Sequence, residues 1–178
     1  MKKKIISESF KNISIRGRVA FFSSYLEHII INNNRTLDDW EIILTEIWAF
    51  TSTNRLDDWH EKVAEYLPES ILEDISFEKK ETIYISIEDY TNLRLLYIGA
   101  EKEILYLIEQ IFYIGTIELY GSAGEKGLQS LLIIKEVLEY IEFNTSSLPP
   151  LPDIGVYKKF KFSDEYGWGI AFLKEQIY

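Results

Sequence analysis

Apolar residues recur along most of this chain with a period of about 3.6, the mark of helices packed by one face. Ile15, Val19, Phe22, Leu26, Ile29 and Ile30 make one stripe, on a helix of about 18 residues. Ser14 stands before it as an N-cap, and Asn32-Asn33-Asn34 closes it, since Asn tolerates a left-handed exit. Thr36 then opens a capping-box-like start in which Asp39 replaces the usual Glu or Gln, ahead of Trp40, Ile43, Leu44, Ile47 and Trp48. Asn54 is the expected cap of a third helix carrying Leu56, Trp59, Val63, Tyr66 and Leu67, and Pro68 opens a further turn. Ser86 with Asp89 starts a helix that runs to about Tyr97, before Gly99. A long helix follows, with Ile104, Leu107, Ile108, Ile111, Phe112 and later Leu119 facing inward. Gly115 inside it costs about 1 kcal/mol relative to Ala, so it marks close packing or a kink. After a Gly-rich turn at residues 121–124, Leu128, Leu131, Leu132, Lys135, Leu138 and Ile141 form the last long stripe.

The remaining segments lack that period. Residues 82–86 alternate and are β-branched and aromatic, but a lone strand makes no sheet, so they are expected to be an extended linker. Leu148-Pro149-Pro150-Leu151-Pro152 is rigid and extended. Gly167-Trp168-Gly169 is a tight connection, and residues 170–178 are expected to form a terminal helix. The pattern predicts an all-α fold: one domain over residues 1–178, about seven or eight helices, irregular across 143–170, with a basic start (residues 1–13) expected to fray.

Composition narrows the chemistry. There is no Cys, which excludes disulfides and thiolate metal sites, and there are only two His. Apolar residues make up 47% of the chain, too many for a disordered acidic tail. After the basic start only Ile5 and Ile6 precede Ser7 and Glu8, so no signal-peptide apolar region is read, and no run is long enough to span a bilayer. The expected compartment is the cytoplasm.

Charge is strongly localised. The formal total is −10, and residues 36–78 alone hold twelve acids and two bases, while residues 1–18 hold six bases and one acid. A generic nucleic-acid binder would need a basic footprint, so direct nucleic-acid binding is not expected. An acidic face either keeps the protein soluble or steers a basic partner toward it. Leu-Asp-Asp-Trp occurs twice, at Leu37 and Leu56, and reads as one helix start used twice, with the acids at the positive end of the helix dipole and each Trp in the core.

Catalytic patterns are weak. His60-Glu61 begins a zinc-protease motif, but Ala64 stands where the second His is needed. Asp57, Asp58 and Glu61 match the Asp-Asp-x-x-Glu helix of Mg²⁺-diphosphate enzymes, without a second metal-binding helix; this is the alternative enzymatic reading. The glycines and lysine at residues 121–127 lack the Gly-Lys-Ser/Thr ending of a phosphate loop. Arg16-Gly17-Arg18 and Lys2 to Lys4 could touch phosphate, but read more simply as a basic start that pairs with the acidic face. No catalytic residue, cofactor or metal is assigned.

Ile15-Arg16-Gly17-Arg18-Val19-Ala20, Trp48-Ala49-Phe50-Thr51-Ser52, Leu56-Asp57-Asp58-Trp59-His60 with Val63-Ala64-Glu65-Tyr66-Leu67-Pro68-Glu69, Leu151-Pro152-Asp153 and Gly167-Trp168-Gly169 resemble a family of small helical bacterial proteins: the immunity proteins of polymorphic and contact-dependent growth inhibition toxin systems. The resemblance covers about residues 15 to 170 and carries no motif of known chemistry. It implies a non-enzymatic cytoplasmic inhibitor that binds the C-terminal domain of a cognate toxin, often a nuclease. On that reading the candidate contact residues are Asp38, Asp39, Trp40, Glu41, Asp57, Asp58, Glu61, Glu65 and Glu69. A third reading is an acidic scaffold that binds a basic peptide through the same surface.

Overall fold

A computed structural model describes residues 8–73, 77, 82–121, 123, 124 and 126–177. Lys2 to Lys4, Asp74, Ser122 and Tyr178 lie outside them. The fold is an all-α single-domain bundle. After a helical turn at residues 8–10 come α1 (Ile15–Asn32), α2 (Glu41–Ser52), α3 (Leu56–Ala64), α4 (Pro68–Ile71), α5 (Ile87–Ile98), α6 (Lys102–Thr116) and α7 (Leu128–Phe143). A 3-10 turn, Asp38–Trp40, leads into α2, and three more lie in the irregular C-terminal quarter. The single β pairing among the described residues is an isolated antiparallel bridge between Ile13 and Lys161.

Helix α1 is the axis of the molecule, packed by α2, α6 and the 3-10 turn Ile154–Lys159. Ser14 caps it by accepting from the Gly17 N–H at 3.2 Å. Its exit is as the asparagines predict, with Asn34 at φ 58. The pattern predicts one buried stripe, yet every residue from Ile15 to Leu26 is buried. A central helix has no outer face, and α1 meets the polar side of that problem with internal partners.

Those partners correct the reading of the basic start. Arg16 is 5% exposed and Arg18 fully buried, and neither forms part of an acid-pairing surface. Arg16 donates to the carbonyls of Gly169 (3.2 Å), Thr53 (2.7 Å) and Phe50. Arg18 donates to the carbonyls of Ile13 (2.9 Å), Gly127 (3.0 Å) and Lys126 (2.7 Å) and to the Ser130 hydroxyl (2.6 Å). Its guanidinium lies 5.1 Å from the Phe162 ring centroid. Burial pulls Arg18 down to about 10, with the Glu118 carboxylate opposing it. Glu118 is itself buried and accepts from the Gln129 and Ser130 N–H groups at the start of α7. The expected fraying also fails over residues 8–13: Phe10 is fully buried, its ring 5.0 Å from Phe21, and Ile13 is buried with it.

The C-terminal quarter wraps back over the entry to α1. Ser14 N–H donates to Phe160 O, Arg16 N–H to Trp168 O and Phe162 N–H to Asn12 O, at 2.8, 3.1 and 3.0 Å. Gly169 sits at φ +84, where a Cβ would lie 2.3 Å from the Ser14 hydroxyl, so both conformation and space require glycine there. Residues 170–173 are irregular rather than helical, and only a 3-10 turn, Lys174–Gln176, follows. Their backbone is engaged elsewhere: Phe172 N–H donates to Thr51 O at the end of α2.

Other local expectations divide. Asn54 does not cap α3. The N-cap position is Arg55, whose N–H is taken by the Thr53 hydroxyl at 3.0 Å. Ser86 caps α5 through the Asp89 N–H as read. Gly115 is a site of close packing, since a Cβ there would meet the Phe50 ring at 3.0 Å. Helix α6 ends at Thr116, leaving Leu119 half-buried in the turn beyond. On α7 the stripe is rotated: Ser130, Ile134, Val137, Leu138 and Ile141 are buried, while Leu128, Leu132 and Lys135 are exposed. Ser130 takes the inner position because Arg18 is there to bond it. No helix among the described residues is long and apolar enough to cross a membrane.

Candidate functional site

The nine candidate contact residues separate into groups with different work. Trp40 is removed outright. It is fully buried, 6.2 Å from the Tyr97 ring, with its indole N–H enclosed and no acceptor among the described residues. It belongs to the core, as the Leu-Asp-Asp-Trp reading expects, and cannot touch a partner. The second Trp of that repeat, Trp59, is also buried, but its N–H reaches Glu46 O at 2.7 Å.

Several acids are occupied within the fold. Asp39 accepts from the Thr36 hydroxyl at 2.7 Å, and Thr36 in turn accepts from the Asp39 N–H, so this box caps the turn before α2. Asp58 pairs with Arg55 at 2.6 Å. Glu65 is a structural anchor: its carboxylate accepts from three successive N–H groups, Ile83, Tyr84 and Ile85, at 2.8, 2.8 and 2.9 Å. It therefore fixes this linker, which bends at Ile83 and Tyr84 instead of running extended as expected, and it has little capacity left for a partner. Glu61 accepts from the Tyr84 hydroxyl at 3.1 Å, and that bond, with burial and the fields of Glu61, Asp58 and Glu65, pushes the Tyr84 phenol up. Glu69 accepts from the Tyr113 hydroxyl at 3.2 Å. Burial first, and Glu69 second, push the nearby Glu109 carboxyl up.

Asp38, Glu41 and Asp57 remain exposed. Asp57 projects from the first turn of α3, whereas Asp38 and Glu41 line an open groove of about 500 Å³ between α2 and the C-terminal segment. The groove's other lining residues include Leu44, Trp48, Glu27 and Glu175. Lys174 pairs with Glu27 at one end, its ammonium 5.1 Å from the Trp48 ring centroid, and the Trp48 indole N–H donates to the same carboxylate at 2.7 Å. Glu27, Trp48, Lys174 and Glu175 escaped the sequence reading as site residues. Glu27 lies on the core helix, Trp48 reads as core, and Lys174 and Glu175 sit about 130 residues beyond Asp38 and Glu41, so no local pattern joins them.

The acidic surface is thus two surfaces: a groove with Asp38 and Glu41, and an outer α3 face where Asp58, Glu61 and Glu65 gather around Tyr84. His60, on the latter helix, stacks on Phe112 at 5.4 Å, and its Nδ1 lies 3.0 Å from the Tyr120 hydroxyl. Among the described residues no three His, Cys, Asp or Glu converge as a metal ion needs, and Asp58 is paired with Arg55. Compared with known proteins, the chain matches no family model, no curated protein and no solved structure.

Proposed function

We propose that this protein is an immunity protein: a cytoplasmic, non-enzymatic inhibitor that binds the C-terminal domain of a cognate bacterial toxin, a basic ribonuclease, and covers its active site with acidic surface. The observation that carries the reading is the exposure of Asp38 and Glu41 on the rim of an apolar-floored groove, within the segment that holds the chain's whole net charge. A ribonuclease holds phosphates with Lys, Arg and His, and carboxylates presented by an inhibitor compete for the same positions. Concentrated charge also speeds encounter, which favours capture of a toxin before it acts. The resemblance over residues 15–170 points the same way.

Co-expression with the product of the gene immediately upstream tests this. The expected outcome is rescue of growth and a co-purifying complex that weakens as salt rises. A toxic product that the protein neither binds nor neutralises would overturn the proposal.

A further inference from the structure

We infer that the groove between α2 and the C-terminal segment is a receptor for a cationic, amphipathic segment of a protein partner, with Lys174 standing where one of that segment's ammonium groups would sit. The inference rests on the proposed binding role and assigns it to one of the two acidic surfaces.

Three features of the groove carry it. The first is that it already holds a cation. The Lys174 ammonium is paired with Glu27 and lies over Trp48, while the Trp48 N–H holds the Glu27 carboxylate in place. A carboxylate beside an aromatic face, both ordered in advance, is a seat for an ammonium or guanidinium. Lys174 is 42% exposed, so water reaches it and an incoming cation can replace it. The second is excess charge. After Glu27 is matched by Lys174, the rim still carries Asp38, Glu41 and Glu175, which have no ion-pair partner among the described residues. The third is the floor. Leu44 and Trp48 are less than a tenth exposed, but they line the groove together with the more open Leu37 and Leu173. That apolar strip between acidic rims accepts aliphatic side chains flanked by Lys or Arg. A phosphate-bearing nucleic acid or an anionic lipid surface would meet like charge here. The α3 face lacks this combination: Asp58, Glu61 and Glu65 are spent on Arg55, Tyr84 and the linker amides, and Asp57 stands outside the groove.

The probe is a short synthetic helix of Lys and Leu with Lys at i and i+4 on one face, beside a copy with Glu in place of every Lys, titrated into the full chain by heteronuclear NMR. The expected result is a saturable shift of the Trp48 indole N–H with the Lys helix only. Affinity should fall about tenfold in Asp38→Lys/Glu41→Lys, and hold within about twofold in Asp57→Lys/Glu61→Lys, which changes the net charge equally. Lys174→Ala should bind more tightly. Thermal melts report whether each variant is folded. Equal loss in both charge variants, or shifts centred on α3 with Trp48 unmoved, would overturn the groove. Rescue from the upstream toxin separates this from the broader proposal. If Asp38→Lys/Glu41→Lys still rescues as well as the parent, the groove is overturned and the immunity reading stands. If the peptide seats at Trp48 and the parent gives no rescue, the groove stands and the immunity reading falls.

Discussion

Arg16 and Arg18 turn their charge into the core, while Asp38, Glu41 and Asp57, a short way along the chain, turn theirs to solvent. The two clusters look alike in the sequence, as runs of one sign at a helix start. They differ in what can satisfy them. A guanidinium has five donors in a rigid fork, and here every arm finds a carbonyl or hydroxyl of the same chain, so burial is tolerable. A carboxylate only accepts, and two of its buried or half-buried examples, Glu118 and Glu65, are held where successive backbone N–H groups converge on them. Glu27 and Glu46 are held instead by Lys174 and Lys62, while Asp38, Glu41 and Asp57 stay exposed with neither kind of partner among the described residues. Charge sign and position in the chain therefore do not tell which ions the fold uses internally; the supply of complementary partners, backbone or side chain, does.

The largest test of that contrast is Arg18→Ala. It strips the Lys126 and Gly127 carbonyls and the Ser130 hydroxyl of a donor inside the core, and should cost on the order of 3–4 kcal/mol in urea unfolding. Arg18→Lys should recover only part of this, because an ammonium cannot span the fork. A loss under about 1 kcal/mol for Arg18→Ala would break the distinction between inward and outward charge.

A smaller effect is expected for Glu65→Gln. The amide keeps one acceptor oxygen and loses the charge, so about 1–2 kcal/mol should go. Hydrogen exchange should quicken selectively at Ile83, Tyr84 and Ile85, leaving α1 amides protected. Uniform change across the molecule would remove Glu65 from the structural class.

The smallest concerns Glu109, whose carboxyl is pushed up by burial and by Glu69. A raised folded value means that the folded state holds its proton longer than the unfolded chain. Stability is then lost as pH rises from the ordinary carboxylate range through the folded value. Glu109→Gln should raise the unfolding free energy at neutral pH by less than about 0.5 kcal/mol once solvent screening is allowed for, and the gain should vanish in acid. A gain that persists below the ordinary carboxylate range would assign the effect to packing.

Much of the fold is legible from local pattern because its determinants are local. Ser14, Thr36 and Ser86 signal three helix starts through bonds to residues three positions away. What is missed depends on partners far along the chain. The face of α7 is misread because Ser130 looks like an outer residue until Arg18 is placed beside it. The burial of Arg16 leaves no trace, since its acceptors are backbone carbonyls, which carry no residue identity. The candidate site is half legible for the same reason. The concentration of acid is plain, but Glu65's commitment to residues 83–85 and the partnership of Glu27 with Lys174 are properties of the folded chain alone.

The reach of the arginine contacts also bears on how this chain is made. Arg16 bonds a carbonyl 153 residues downstream and Arg18 one 109 residues downstream. During synthesis, α1 leaves the ribosome long before residues 126, 127 and 169, and its two guanidinium groups must stay hydrated until those carbonyls arrive. The axis of the bundle is thus translated early and completed late. Vectorial folding can assemble α2 beside it and α3 against α2, but closing the core waits for the C-terminal wrap, so a stalled or prematurely released chain exposes the apolar face of α1 to the quality-control machinery of the cell.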